Sequence, residues 1–314
     1  MKSTRARGRN YRRQLTDCQG PIDCNVIGST PRLAPWIDLT GAKSKRLNTR
    51  TARLLLSDRP MTETETLTLA RTWLREAQRV VALTGAGIST ESGIPDFRGP
   101  QGVWTKDPDA EKLSDIRYYL ADPKIRKKAW RSRSDSTVWQ AQPGAGHRAL
   151  ARMEQIGKLD TLITQNIDGL HQLAGNSPEI VIEIHGTLRK ARCMSCTYQV
   201  EMGVVLERLE AGEDDPDCPD CGGILKSATI SFGQNLVPED LARCEQAAKN
   251  CDLLLAVGST LSVYPAAGVV PLAKQAGARV LIVNGAATEM DAIADAVLRG
   301  NIGDLLPALV PAPH

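Results

Sequence analysis

The sequence predicts an α/β fold, a doubly wound parallel sheet carrying a smaller second domain. Three observations lead there. Short apolar runs recur at residues 79–83, 159–164, 180–184, 253–257 and 279–283. The segments between them are long enough to carry helices, and the first run feeds directly into a glycine-rich turn. Runs without polar alternation belong to strands buried on both faces, and strand–helix alternation is the pattern of a parallel sheet.

The elements follow in order. Thr62 and Glu65 have capping-box spacing and open an amphipathic helix with Leu67, Ala70, Trp73, Leu74 and Ala77 on one face. The strand at 79–83 leads into Gly85, Ala86, Gly87, Ile88 and Ser89. Glycines there allow a tight turn and let a phosphate approach the N–H groups of Ala86, Ile88 and Ser89, with the hydroxyls of Ser89 and Thr90 as further donors. Taken alone, the Gly-x-Gly pair fits a ligand-free strand–helix turn equally well, because the third glycine of a dinucleotide fingerprint and its ribose-binding acid are missing. Helices are expected at 147–156, stopped by Gly157, and at 238–251; a third at 265–277 should be kinked or split by Pro271.

Two stretches interrupt the alternation, residues 99–145 with Trp104, Trp130 and Trp139, and residues 188–228 with four cysteines. Both would sit over the carboxyl edge of the sheet, where open α/β folds bind ligands. Cys193, Cys196, Cys218 and Cys221 form two CxxC pairs separated by 21 residues. That spacing predicts a ribbon closed by one structural zinc, with no open coordination position for catalysis. Disulfides compete with this reading and would need an oxidising compartment.

With 314 residues, 42% of them hydrophobic, the chain buries a substantial core and is not a disordered protein. The net charge of +3 hides an asymmetry: residues 1–60 hold 13 Lys and Arg against 4 Asp, so the remainder is acidic. This basic leader reads as disordered, as an organellar transit segment, or as sequence preceding a true start at Met61. Residues 61–314 would form the folded domain. Nothing approaches 18 consecutive apolar residues, so no membrane span is expected and the cytoplasm is the expected location. Nucleic acid is an unfavoured partner except through the leader, since Glu201, Glu207, Glu210, Glu213, Asp214, Asp215, Asp217 and Asp220 make the ribbon acidic.

The chemistry gathers at strand ends. Gln165, Asn166 and Asp168 follow the strand at 159–164, and His185 follows the strand at 180–184 just before Gly186. A histidine so placed suits a general base near neutral pH, although a lone histidine is as often a structural one.

Together the Gly85–Ser89 turn, the stretch from Gly93 to Arg98, Thr164 to Asp168, His185-Gly186, the CxxC pairs, Ser231 to Gly233 and Gly258 to Val263 resemble the sirtuins, the NAD-dependent protein deacylases. The resemblance runs from about residue 65 to the C-terminus and implies a Rossmann-like core with a zinc-ribbon and helical domain. It implies that Gly85, Ala86, Gly87 and Ser89 hold the phosphates of NAD, and that Phe97 and Arg98 lie on a mobile loop, with Asp96, Trp104 and Ile167 nearby. By the same resemblance Asn166 contacts the nicotinamide ribose, Asp168 holds the carboxamide and Gln165 lies beside them. His185 matches the catalytic base, so His185, Asn166 and Asp168 form the expected catalytic set. Gly258, Ser259, Thr260, Asn284, Gly285, Ala286 and Ile302 match the adenosine side. An acylated-lysine peptide would add as a strand against residues 229–232 and near Val263, with Ile230, Phe232 and Gly233 as contacts.

The implied products are free lysine, nicotinamide and O-acyl-ADP-ribose, a transferase reaction with NAD as co-substrate. Trp130 and Arg133 stand where sirtuins that prefer acidic acyl groups have a Tyr and an Arg, and acetyl-lysine is the favoured substrate. ADP-ribosyl transfer to protein and a nucleic-acid-binding ribbon are the alternatives.

Overall fold

The computed structural model of the chain describes residues 61–96, 102, 105 and 112–310. Phe97, Arg98, Trp104 and the basic leader lie outside the described residues. The strands are β1 Val80–Thr84, β2 Leu159–Thr164, β3 Val181–Glu183, β4 Gly186–Cys193, β5 Gln199–Glu201, β6 Leu225–Thr229, β7 Leu253–Val257, β8 Arg279–Asn284 and β9 Ala296–Arg299. The described helices are α1 Glu63–Glu76, α2 Ile116–Ala121, α3 Pro123–Ser134, α4 Ala145–Gln155, α5 Leu170–Leu173, α6 Met202–Glu210, α7 Pro238–Asn250, α8 Val269–Gln275 and α9 Ile302–Leu309.

Six strands form one sheet in the order β3-β2-β1-β7-β8-β9, with every neighbouring pair parallel. The chain winds outward from β1 through β2 to β3, then returns to β1's other side at β7 and winds away again. The switch point therefore falls between β1 and β7, the place along the carboxyl edge where open α/β sheets bind ligands.

Strand periodicity sorts the core into two layers. Val80, Ala82, Leu253, Leu255, Leu281 and Val283 face α1, α4 and α9, where they meet Leu74, Leu150, Met153 and Leu306. Val81, Leu83, Leu254, Ala256, Val280 and Ile282 face the opposite layer, packed on Cys244, Ala248, Val270 and Ala273. Alternate side chains thus serve opposite layers, and the continuous apolar runs follow from that.

α1 starts as its sequence asks: the Thr62 side chain caps Glu65 N–H while the Glu65 carboxylate accepts from Thr62 N–H at 2.8 Å. Gly157, at φ +70, ends the segment after α4. The break expected at Pro271 falls earlier, where a 3-10 turn over Ala266–Gly268 passes into α8. Pro271 sits in the first turn of α8, where a missing N–H costs little. β9 and α9 were not expected from the sequence. β9 is a four-residue edge strand, and α9 contains Pro307.

The two insertions share one small core. β4 lies between β5 and β6 in an antiparallel sheet. Trp130 of α3 packs with Ala191, Met202, Val205 and Leu225 of the ribbon. Arg126 pairs with Asp215 at 2.9 Å and Tyr119 donates its hydroxyl to Leu225 O at 2.8 Å, so helices and ribbon are tied as one body.

Candidate active site

The turns after β1 and β7 interlock across the switch point. Gly85 N–H donates to Val257 O at 3.0 Å and Gly87 N–H to Gly258 O at 2.8 Å. A Cβ on Gly87 would lie 2.8 Å from Gly258 Cα, and one on Gly258, at φ +63, would lie 2.5 Å from Ile88 N. These glycines are required by the protein's own backbone contact, a reason distinct from the ligand approach expected of them. The donors of the turn also differ from expectation. Ile88 N–H and Ser89 N–H bond Gly85 O and Ala86 O within a 3-10 turn, and Thr90 Oγ1 donates to Gly87 O. Ser89 is buried, and its hydroxyl points inward.

Beneath the turn lies a buried polar network. Ser89 Oγ donates to Asp168 Oδ2 at 2.8 Å, and Leu170 N–H donates to Asp168 Oδ1 at 2.9 Å. Asn166 Nδ2 donates to Gly85 O at 3.2 Å and to Ser89 Oγ at 3.1 Å. Both amide hydrogens are thereby used inside the protein, and the Asn166 carbonyl is what the side chain offers outward. Thr84 Oγ1 bonds Thr164 Oγ1, which accepts from Asn166 N–H at 3.1 Å. His171 Nε2 lies 2.9 Å from Thr84 Oγ1, and the His147 ring meets His171 tilted by 57°, at 4.9 Å between ring centroids. Burial pulls the pKa of both rings down, His147 to about 4 and His171 well below its ordinary value, with His147 adding to the effect on His171. His147, His171 and Thr84 were not foreseen as site residues.

His185 stands at the end of β3, half-buried, with Nδ1 3.1 Å from Gln165 O. A carbonyl oxygen can only accept, so Nδ1 carries the hydrogen and Nε2 keeps a lone pair. Burial lowers the His185 pKa, with the bond to Gln165 acting the other way. Gln165 in turn donates Nε2–H to Ser259 Oγ at 3.0 Å, joining the β2 and β7 strand ends. Ile167 O accepts from Leu188 N–H at 2.8 Å, and Arg189 Nε donates to Asp168 O at 2.8 Å. Arg189 also lies over the Trp139 ring at 5.5 Å, so the small domain grips the loop that presents Asn166 and Asp168.

Further along the edge, Ser259 is buried and caps Leu261 N–H, while Thr260, Gly285 and Ala286 are exposed. Asn284 Nδ2 donates to Ala286 O at 2.8 Å, closing the turn after β8. Ile302 packs beneath the Gly258 turn and against Gly146. Asp96 is half-buried at the end of the described loop.

The segment expected to receive a peptide strand is partly occupied. Phe232 N–H donates to Ser114 O and Phe232 O accepts from Ile116 N–H, at 2.8 and 3.0 Å. Ile230 N–H bonds His185 O, and Val263 O accepts from Ala267 N–H. Those backbone groups of Ile230 and Phe232 are therefore used within the protein, and a peptide strand would have to pair with others of the segment. Gly233 N–H and C=O have no partner among the described residues, and the exposed side chains of Phe232 and Val237 stand close by in sequence.

Cys193, Cys196, Cys218 and Cys221 are all free thiols whose sulfurs lie within 4.8 Å of one another. The Cys193–Cys221 and Cys196–Cys218 separations are 3.5 and 3.6 Å. Four sulfurs about 2.3 Å from a central tetrahedral zinc would be about 3.8 Å apart, so the cluster fits one zinc and not two disulfides.

A parallel sheet with a buried polar network at its switch point, a histidine at one strand end and a four-thiolate ribbon define a Rossmann-like α/β protein with a structural zinc module. The Sir2 family model matches residues 85–265. NAD-dependent protein deacetylase 2 of Streptomyces coelicolor is 50% identical over 231 residues, 74% of this chain and 96% of that protein. NAD-dependent protein deacetylase 1 of Bradyrhizobium diazoefficiens is 44% identical over 239 residues, 76% of this chain and 92% of that protein. A solved structure described as Sir2 bound to acetylated peptide aligns at a TM-score of 0.68 and 32% identity, covering 79% of this chain and 96% of that chain. The chain belongs to the Sir2 family, the sirtuins.

Proposed function

We propose that this protein is an NAD-dependent protein-lysine deacetylase, passing the acetyl group to ADP-ribose with release of nicotinamide. The observation that carries the reading is the His185 tautomer: Nδ1–H is held by Gln165 O, and Nε2 is left as a base in the crevice beside Asn166 and Asp168. Relatives named NAD-dependent protein deacetylase and a neighbour described as a complex of Sir2, a p53 peptide and NAD+ support it.

NAD bound in the crevice supplies the ADP-ribosyl acceptor for the acetyl group. The chain's residues do the rest. Asp168, fixed from both oxygens, and Asn166, with its carbonyl outward, orient the nicotinamide end by preset dipoles that need no reorganisation during reaction. His185 takes a ribose hydroxyl proton at Nε2. Gly258, Ser259, Asn284, Gly285 and Ile302 form the wall for the adenosine half, while Phe97 and Arg98 belong to the loop expected to close over the nicotinamide ribose, with Trp104 as a further cofactor contact. Gly233 offers backbone groups to an extended peptide. Residues 61–314 carry all of these positions, and the four cysteines hold zinc in a structural role.

Nicotinamide release that requires both NAD and an acetylated peptide tests the reading. His185→Ala should abolish release while zinc content and fold stay intact, and retained turnover would overturn the assigned base. Labelled ADP-ribose on protein instead of on free acyl-ADP-ribose would favour the transfer reading. A cleft beside β6 is lined by Tyr119, Trp130, Arg133, Lys226 and Thr229. The Lys226 ammonium is used on Thr229 O and Ser227 O. We read acetyl as the preferred acyl group, and faster turnover of succinyl-lysine would reverse that preference without changing the enzyme class. No helix among the described residues is long and apolar enough to cross a membrane, and free thiols suit the reducing cytoplasm, where we place the protein.

A further inference from the structure

His147 lies at the third position of α4, fully buried, and its bonds form a directed chain. The backbone N–H of Gly144 points at Nδ1 from 3.2 Å. An amide N–H can only donate, so Nδ1 holds a lone pair and the ring hydrogen is on Nε2. Nε2 lies 3.4 Å from Ser89 Oγ, which also accepts from Asn166 Nδ2 at 3.1 Å. With both lone pairs of Ser89 engaged, its one hydrogen has a fixed direction. It goes to Asp168 Oδ2 at 2.8 Å, while Leu170 N–H holds the other carboxylate oxygen.

We propose that His147 is a positioning residue of the active site: through Ser89 it fixes the orientation of the Asp168 carboxylate from 21 residues upstream in sequence and one helix away in space. The inference rests on the reading of Asp168 given above. It has a physical reason beyond filling space. A phenyl ring would fill the same volume, but it would leave Ser89 Oγ one donor short and its hydroxyl free to rotate away from Asp168. It would also leave Gly144 N–H at the start of α4 without its acceptor. Burial keeps the ring neutral by pulling its pKa to about 4, so the donor on Nε2 persists across the working pH range.

The test is a double-mutant cycle on the full chain, with nicotinamide release and NAD binding by calorimetry as readouts. His147→Phe should lower kcat by about tenfold to a hundredfold, the scale of a misplaced orienting group, with the KM for acetyl-peptide unchanged. His147→Gln, which restores an N–H donor, should recover most of that loss. In the Ser89→Ala background, His147→Phe should cost nothing further, because the link it acts through is gone. Wild-type kcat in His147→Phe, or the same loss with and without Ser89, would overturn the proposal. If His147→Phe fails to fold, the cycle is read with His147→Gln and His147→Asn, and equal activity of the two, regardless of donor reach, would overturn it as well. A wild-type protein without acetyl-dependent nicotinamide release would instead overturn the functional reading.

Discussion

Gly87 and Gly258 meet backbone to backbone across the switch point, the N–H of one on the carbonyl of the other at 2.8 Å. No side chain fits between them. Gly258→Ala would put a Cβ 2.5 Å from Ile88 N at a φ of +63, which L-residues adopt only with strain. The expected result is a loss of about 2 kcal/mol or more in unfolding free energy, together with weakened NAD binding. Urea unfolding and calorimetric titration with NAD measure the two, and an unchanged midpoint with unchanged affinity would contradict the interlock. Gly157→Ala serves as a comparison, since that glycine also has positive φ but nothing within 4 Å of an added Cβ.

The pH dependence of turnover follows from His185. Burial disfavours its cationic form, so its pKa lies below the ordinary value near 6.5. A base works when neutral, and the acid limb of activity should therefore be centred below pH 6.5. A kcat profile between pH 5 and pH 8 measures this. An acid limb centred above 6.5 would mean that the imidazole is stabilised as a cation and that the burial argument fails.

Local signals were legible in the sequence and tertiary ones were not. β1, β2 and β7 stand out because both faces are buried, and the cysteine quartet stands out because CxxC spacing is set by one tight turn. β9 has only four residues with alternating burial, and Pro307 makes α9 look unlike a helix. Gln165, Asn166, Asp168 and His185 were visible as polar groups at strand ends. Their supports were invisible, because Ser89 and His147 are 58 residues apart and Thr84 and His171 are 87 apart. The sequence also presented the hydroxyls of Ser89 and Thr90 as phosphate donors, whereas the turn uses both internally. A tight turn must first satisfy its own polar groups, and a motif read on its own does not show that.

Zinc removal should stop catalysis although the metal is structural. β4 begins one residue after His185 and carries Cys193 at its far end, and on the way Leu188 and Arg189 hold Ile167 O and Asp168 O. Loosening the ribbon therefore releases the loop that presents Asn166 and Asp168. Treatment with a chelator should lower activity in proportion to zinc lost, and Cys218→Ser should purify with little zinc and little activity. Full activity in a zinc-free sample would separate the ribbon from the site. Arg189→Ala should reproduce part of the kinetic loss with zinc still bound.

Acid should destabilise the fold before it protonates the carboxylates. His147, His171 and His185 all have folded-state pKa values pulled below the unfolded value by burial. For such groups the unfolded chain binds more protons, so stability is complete above about pH 6.5 and falls as pH drops toward the folded pKa values. For His147, with its pKa near 4, the loss approaches about 3 kcal/mol by that pH, at roughly 1.4 kcal/mol for each tenfold difference in proton affinity between folded and unfolded chain. Glu154 and Asp295 have lowered pKa values and lose their contributions only below the ordinary carboxylate range, so the decline between pH 7 and pH 5 belongs to the histidines. Urea midpoints at pH 7, 6 and 5 should decline steadily, and His147→Gln should decline less steeply by close to one proton. A flat midpoint from pH 7 to pH 5 would show that these rings accept protons in the folded state and that the polar network beneath the glycine turn is wetter than its burial indicates.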